Sequence, residues 1–142
     1  MEYRLFVIPI IILIVNQIIK AIISAKKGGV KWTTIFSYGG MPSTHSAVVT
    51  SLSYVIGFYD GITRPAFAVA LILSLIVIRD ASGIRLQLGR HGQAINQLIK
   101  ELPDEKEYKY PVMKEIFGHS HLEVTVGIIS SLIFTSILIW FW

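Results

Sequence analysis

The 142-residue chain is 53% hydrophobic and 15% charged, with a formal net charge of +4. A soluble domain carries about 25% charged residues, so this composition, with a mean hydropathy of +0.61, belongs to an integral membrane protein of one-domain length. The absence of cysteine excludes disulfides, thiolate nucleophiles and zinc–thiolate sites; the basic excess, with no solvated basic face or aromatic platform, reads as topology and anionic-lipid contact rather than nucleic-acid binding.

Four apolar segments predict an all-α, polytopic bundle of about four transmembrane helices, forming one domain over residues 1–142. The first, residues 5–24, is long enough to cross a hydrocarbon core of about 30 Å and ends at Lys26-Lys27-Gly28-Gly29. It is longer than a signal-peptide core and no small-x-small site follows, so it is expected to be a retained helix. The second, residues 43–59, is short and speckled with serine. The third starts at Pro65 and is expected to continue as one helix past Arg79 to about Lys100. The fourth, residues 122–142, ends in an aromatic anchor. Between the last two lies a charged linker, about 101–118, with two prolines. In this topology Arg4 and Arg64 fall on one side and every other lysine and arginine on the opposite side. The positive-inside rule therefore puts the termini outside and the polar motifs at the cytoplasmic face of a cell membrane.

Polar residues inside these segments mark candidate sites, because polar groups at membrane depth face the bundle interior or a cavity. Asn16 and Lys20 are four apart and share a helical face. Lys20 has two readings: facing a ligand, or snorkelling to the interface. In IRDASGIRLQLGRHGQAINQ, the residues Ser82, Arg85, Gly89, Gly92 or Gln93, and Asn96 recur at helical spacing. That makes a stripe of small residues, against which another backbone can approach, around one arginine suited to holding phosphate. Arg79 and Asp80 are equally well explained as a structural ion pair with neighbours, and His91 as an interfacial side chain. In GHSHLEVTVG, His119 and Glu123 are four apart. A carboxylate there can accept one ring N–H and raise the basicity of the other nitrogen; an ordinary surface pair has the same spacing. A metal site with His121 is disfavoured, since helical positions i and i+2 do not face each other.

The stretch GGMPSTHSA, at 39–47, interrupts two apolar segments. Its glycines permit a close backbone approach, Pro42 suits the start of a helix, and Ser43 or Thr44 can cap it. The N–H groups of a helix N-terminus form an anion site. His45, one residue further, is then placed to give a proton to a leaving oxygen. A glycine-rich turn with a capping serine and an incidental histidine is the plainer alternative.

These residues also match a family pattern. Pro42-Ser43-Thr44-His45 resembles the P-S-G-H motif of the type 2 phosphatidic acid phosphatase and vanadium haloperoxidase superfamily. His119, Glu123, Val124 and Gly127 resemble the end of its third motif. GGMPSTHSA, DASGIRLQLG and GHSHLEV in that order are similar to the small, divergent branch of integral membrane members. The resemblance covers residues 16–127. The superfamily's Lys-x6-Arg-Pro motif is absent: Arg64-Pro65 has Gly57 at the lysine position and lies on the other side. Thr44 stands for the glycine of P-S-G-H, Glu123 for the relay aspartate, and Met113 occupies the place of an arginine.

The resemblance implies a metal-independent lipid phosphate phosphatase needing no cofactor. His119 would be the nucleophile, oriented by Glu123, and His45 the acid for the leaving group. Arg85, Lys20, Ser43 and backbone N–H groups near Thr44 would hold the phosphoryl oxygens. Gly40, Asn16 and Asp80 complete the expected substrate-binding set. The expected substrate is phosphatidic acid, phosphatidylglycerol phosphate, or a polyprenyl phosphate or diphosphate; a homodimer is one way to complete the cavity. A phospholipid-binding or lipid-moving protein that keeps the cradle without turnover is the alternative from another class, and a small structural membrane protein is a third.

Overall fold

The structure, a computed structural model, describes residues 3–26, 40–102, 111–113, 115 and 118–142. Lys27-Gly28-Gly29, Lys31, Gly39 and most of the 101–118 linker lie outside the described residues. Among the described residues the secondary structure is helical throughout. The elements are α1 (Arg4–Lys26), α2 (Thr44–Ile56) with a π-helical turn (Gly57–Gly61), α3 (Pro65–Ser82), α4 (Ile84–Glu101) and α5 (His121–Phe141). The chain is a polytopic all-α membrane bundle. The first and last helices, and the stretch starting at Pro65, are each long and apolar enough to cross a membrane by themselves.

One end of the bundle gathers Tyr3 against Trp142, with ring centroids 6.0 Å apart, and Arg4 over the Tyr59 ring at 5.8 Å. The polar motifs lie at the other end. The α2 helix with its π-helical turn runs between the two ends, from Ser43 beside Glu123 to Tyr59 beneath Arg4. It is the central helix, packed on α1, α3 and α5. This inverts the hydropathy reading. A short, serine-speckled segment lies deepest because protein surrounds it, whereas the longer α1, α3 and α5 turn Ile14, Ile72 and Ile133 outward to lipid.

Packing uses two kinds of contact. Ile8, Ile12, Ala47 and Val55 form a buried apolar core with Phe134 and Leu138 against it. Across the middle of the bundle, hydroxyls cross-link the helices. Ser53 and Ser74 Oγ atoms lie 2.7 Å apart, and Ser74 also donates to the Val49 carbonyl at 2.8 Å. Ser131 donates to the Ala47 carbonyl at 2.6 Å, and Thr135 to Ser51 at 2.9 Å. In lipid the hydrophobic effect does not drive helices together, so small polar residues that allow close approach do this work.

The third segment departs from expectation. The chain does not continue as one helix from Pro65 to Lys100 but breaks at Gly83, whose backbone (φ −110°, ψ −92°) is outside the helical region. Steric crowding explains the glycine: a Cβ there would sit 2.7 Å from the Arg79 carbonyl oxygen. The hydrophobic pattern gives no warning, because glycine is tolerated inside helices at modest cost.

Candidate active site

The break at Gly83 builds the site. In an unbroken helix the Ala81 carbonyl would bond to the N–H four residues on; here it accepts the His119 N–H at 2.8 Å. Gly118 (φ +77°) makes the approach possible, since a Cβ there would meet the Leu86 nitrogen at 2.5 Å. A third anchor lies further back. Asn96 accepts from the Met113 N–H and donates to the Met113 carbonyl, both at 2.9 Å, and donates to Glu115 at 2.8 Å. With Gly89 and Gly92 it forms the buried face of α4. The small-residue stripe thus faces protein, with Gly92 and not Gln93 on the buried side.

His119 is 4% exposed. Its Nδ1 lies 3.2 Å from Glu123 Oε2, and the backbone of Gly40 also holds the ring. Burial pushes the imidazole below its usual range, and the Glu123 contact pulls partly back. The neutral, nucleophilic form is therefore favoured. The same Oε2 accepts the Ser120 N–H at 3.1 Å while Ser120 Oγ accepts the Glu123 N–H at 3.3 Å. This is a capping box that starts α5. Its signature, Ser120-x-x-Glu123, is legible in the sequence but is masked there by the more conspicuous histidine–glutamate spacing.

The start of α2 docks onto α5. The Ser43 N–H donates to the Glu123 carbonyl at 3.1 Å. Gly127 leaves the room: a Cβ on it would lie 2.5 Å from the Ser43 carbonyl oxygen. Ser43 is fully buried and is the N-cap, its Oγ 2.9 Å from Ser46 Oγ. Thr44 follows with its Oγ1 buried and without a hydrogen-bond partner among the described residues. His45 is open to solvent and its ring centroid is 6.3 Å from that of His119.

The cations come from elsewhere in the bundle. Lys20 is buried at 6% exposure. A Cβ on Gly40 (φ +92°) would lie 3.4 Å from Lys20 Cε. The Lys20 charge acts on Glu123, His45 and His119. Arg85 pairs through Nε with Asp80 across the Gly83 break, so Asp80 belongs to an ion pair, the plainer of its two readings. One of five guanidinium donors is thereby used, and the Arg85 charge still reaches His45.

The structure thus brings Lys20, Gly40, Ser43, Thr44, His45, Arg85, His119 and Glu123 to one end of the bundle, with Asp80 behind Arg85. Asn16 is not among them. It sits one turn deeper, donating to the Ile12 carbonyl at 3.0 Å and accepting from Ser130 at 3.2 Å, as a link between α1 and α5. Ser120, Gly118 and Ala81 position the site without having been expected from the sequence; Gly127, named there only as part of the third motif, does so as well.

A profile described as the divergent PAP2 family matches residues 1–134. An uncharacterized membrane protein of Bacillus subtilis (strain 168), YuiD, is 36% identical over 122 residues, covering 78% of this chain and 77% of that protein. No solved structure matches significantly. The chain belongs to the divergent PAP2 family.

Proposed function

We propose, with membership of the divergent PAP2 family as the premise, that the protein is a metal-independent membrane lipid phosphate phosphatase acting through a phosphohistidine. One observation carries the reading: a buried histidine, held by a carboxylate 3.2 Å away, faces a second histidine across 6.3 Å between ring centroids. Two buried or half-buried cations, Lys20 and Arg85, act on the same space.

In the first step the ring nitrogen of His119 that does not face Glu123 attacks phosphorus. The bond from phosphorus to the lipid oxygen breaks, and His45 gives its proton to that oxygen. Glu123 stabilises the positive charge left on the His119 ring. In the second step water attacks phosphorus, the phosphorus–nitrogen bond breaks, and His45 takes the proton. Inorganic phosphate leaves and both histidines return to their starting state. Charge accumulates on the equatorial oxygens during both steps. Lys20, Arg85 and the N–H groups at the start of α2 are preorganised to meet it.

The candidate substrates are phosphatidic acid, phosphatidylglycerol phosphate and polyprenyl phosphates or diphosphates. Their head groups lie at the membrane level that the site occupies. The excess of lysine and arginine on the site's side supports a cytoplasmic orientation. A second reading, a lipid-holding protein without turnover, is favoured by one contact: the Asp80–Arg85 pair draws on the cation the chemistry needs.

Phosphate release by the purified protein on this lipid panel separates the two. Release that disappears in His119→Ala establishes the phosphatase and its substrate class. No release from folded protein on any of them moves the assignment to lipid holding.

A further inference from the structure

The stretch from Pro65 to Glu101 is 37 residues long and contains one window apolar enough to cross a membrane, so it is longer than one crossing can use. At 1.5 Å per residue, the 18 residues of α3 span about 27 Å and already cross the core. The 18 residues of α4 add a similar length beyond the break. The α4 side chains fall into three sectors. Gly89, Gly92 and Asn96 face protein. Gln93, Arg90, Gln97 and Lys100 form an exposed polar sector. Between them runs a largely apolar stripe of Ile84, Leu88, Ile95, Leu98 and Leu102, each 41–68% exposed, interrupted on the same face by the exposed His91.

A helix with protein on one side, water-seeking groups on another and bare apolar side chains on a third fits one environment, the plane of a membrane interface. The stripe continues the lipid-facing surface of α3, through Ile76 and Ile72, which are 60% and 56% exposed. At the junction a cavity of about 560 Å³ lies against the break. Ile76, Ile84 and Leu88 line its apolar part and Arg79, Asp80, Gln87 and His91 its polar part, with the Asp80 charge taken up by Arg85. Basic and apolar groups in this order match a phospholipid with a negatively charged head group.

We propose that α4 is an in-plane interfacial helix, with its apolar stripe in the acyl layer, and that the cavity at its junction with α3 seats an anionic phospholipid. This surface is separate from the histidine pair, although Asp80 lines the cavity and pairs with Arg85. The helix would hold the site at head-group depth whether or not the site turns over.

The chain has no native cysteine, so single cysteines carrying a fluorophore can be placed at will. Leu88→Cys and Leu98→Cys report on the stripe, and Gln93→Cys and Gln97→Cys on the polar sector. Each is read in full-length protein reconstituted into phosphatidylcholine vesicles containing a chain-brominated phospholipid. Strong quenching at 88 and 98, with weak quenching at 93 and 97, is the expected result. Equal quenching at all four would place α4 in the acyl core, and no quenching at 88 and 98 would mean protein, such as a second copy, covers the stripe. Either overturns the proposal. For the cavity, a fluorophore at Gln87→Cys is compared in phosphatidylcholine–phosphatidylglycerol vesicles of fixed composition, brominated on one lipid or the other. The anionic lipid should be enriched about five-fold, the ratio one basic residue supports at a membrane surface, and Arg79→Gln with His91→Gln should remove the preference. Equal quenching in the unsubstituted background overturns the anionic-lipid site. Because neither readout uses turnover, failure here is distinguishable from an absence of phosphatase activity.

Discussion

Two polar layers cross this bundle and they are built on opposite principles. In the middle layer Ser51, Ser53, Ser74, Ser131 and Thr135 all have partners, at 2.6–2.9 Å. In the end layer His45 is open to solvent and Thr44 Oγ1 is buried without a partner among the described residues, while the buried His119 is held by Glu123 and by the Gly40 backbone. Satisfied hydroxyls bind helices to one another and have nothing left to offer a ligand. Groups kept short of partners cost stability and retain the capacity to act. The difference between the layers is therefore one of occupancy rather than of polarity.

Substitutions in the two layers should accordingly move different observables. The largest effect is expected for His119→Ala: loss of phosphate release of at least about 10³-fold, with unfolding in detergent unchanged. Activity surviving in that variant would falsify the nucleophile assignment. Next comes Glu123→Gln, expected to lower the rate about 10- to 100-fold while glutamine keeps the capping box. It also has a signed pH effect. The Glu123 contact raises the His119 pKa against the lowering by burial, so removing the carboxylate charge lowers it further. His119 then stays neutral in more acidic solution, and the acid limb of the rate profile moves to lower pH. A limb that stays put or moves up would sever the link between the two residues.

Gly127→Ala tests the seam joining the end layer to the bundle. Its Cβ would press on the Ser43 carbonyl at 2.5 Å, and overpacking of that kind costs about 1–3 kcal/mol, read as a lower unfolding midpoint. The smallest effect belongs to the middle layer. Ser131→Ala should cost about 0.6 kcal/mol, typical of hydrogen bonds between membrane helices, and leave the rate per folded molecule unchanged. A fall in rate without a fall in stability would erase the distinction between the layers.

Much of this was readable without coordinates. Apolar runs located α1 and α5, and helical spacing paired His119 with Glu123 and put Arg85 on the face of Gly89, Gly92 and Asn96. Three features were not readable, each for a physical reason. The break at Gly83 leaves the hydrophobic pattern intact. The central place of α2 runs against hydropathy, because serine there meets protein instead of lipid. Asn16 shares a face with Lys20 yet serves Ile12 and Ser130, since one helical turn separates the site from the packed interior.

Tyr3 touches Trp142 at the end of the bundle remote from His119. That contact has a practical consequence for sidedness. A reporter fused near either terminus is expected to sample the same compartment, and one inserted beside Gly118 the opposite one. Two fusions that disagree with each other would refute the even number of crossings, and two that agree would reveal, without any assay of chemistry, which aqueous phase the histidines face.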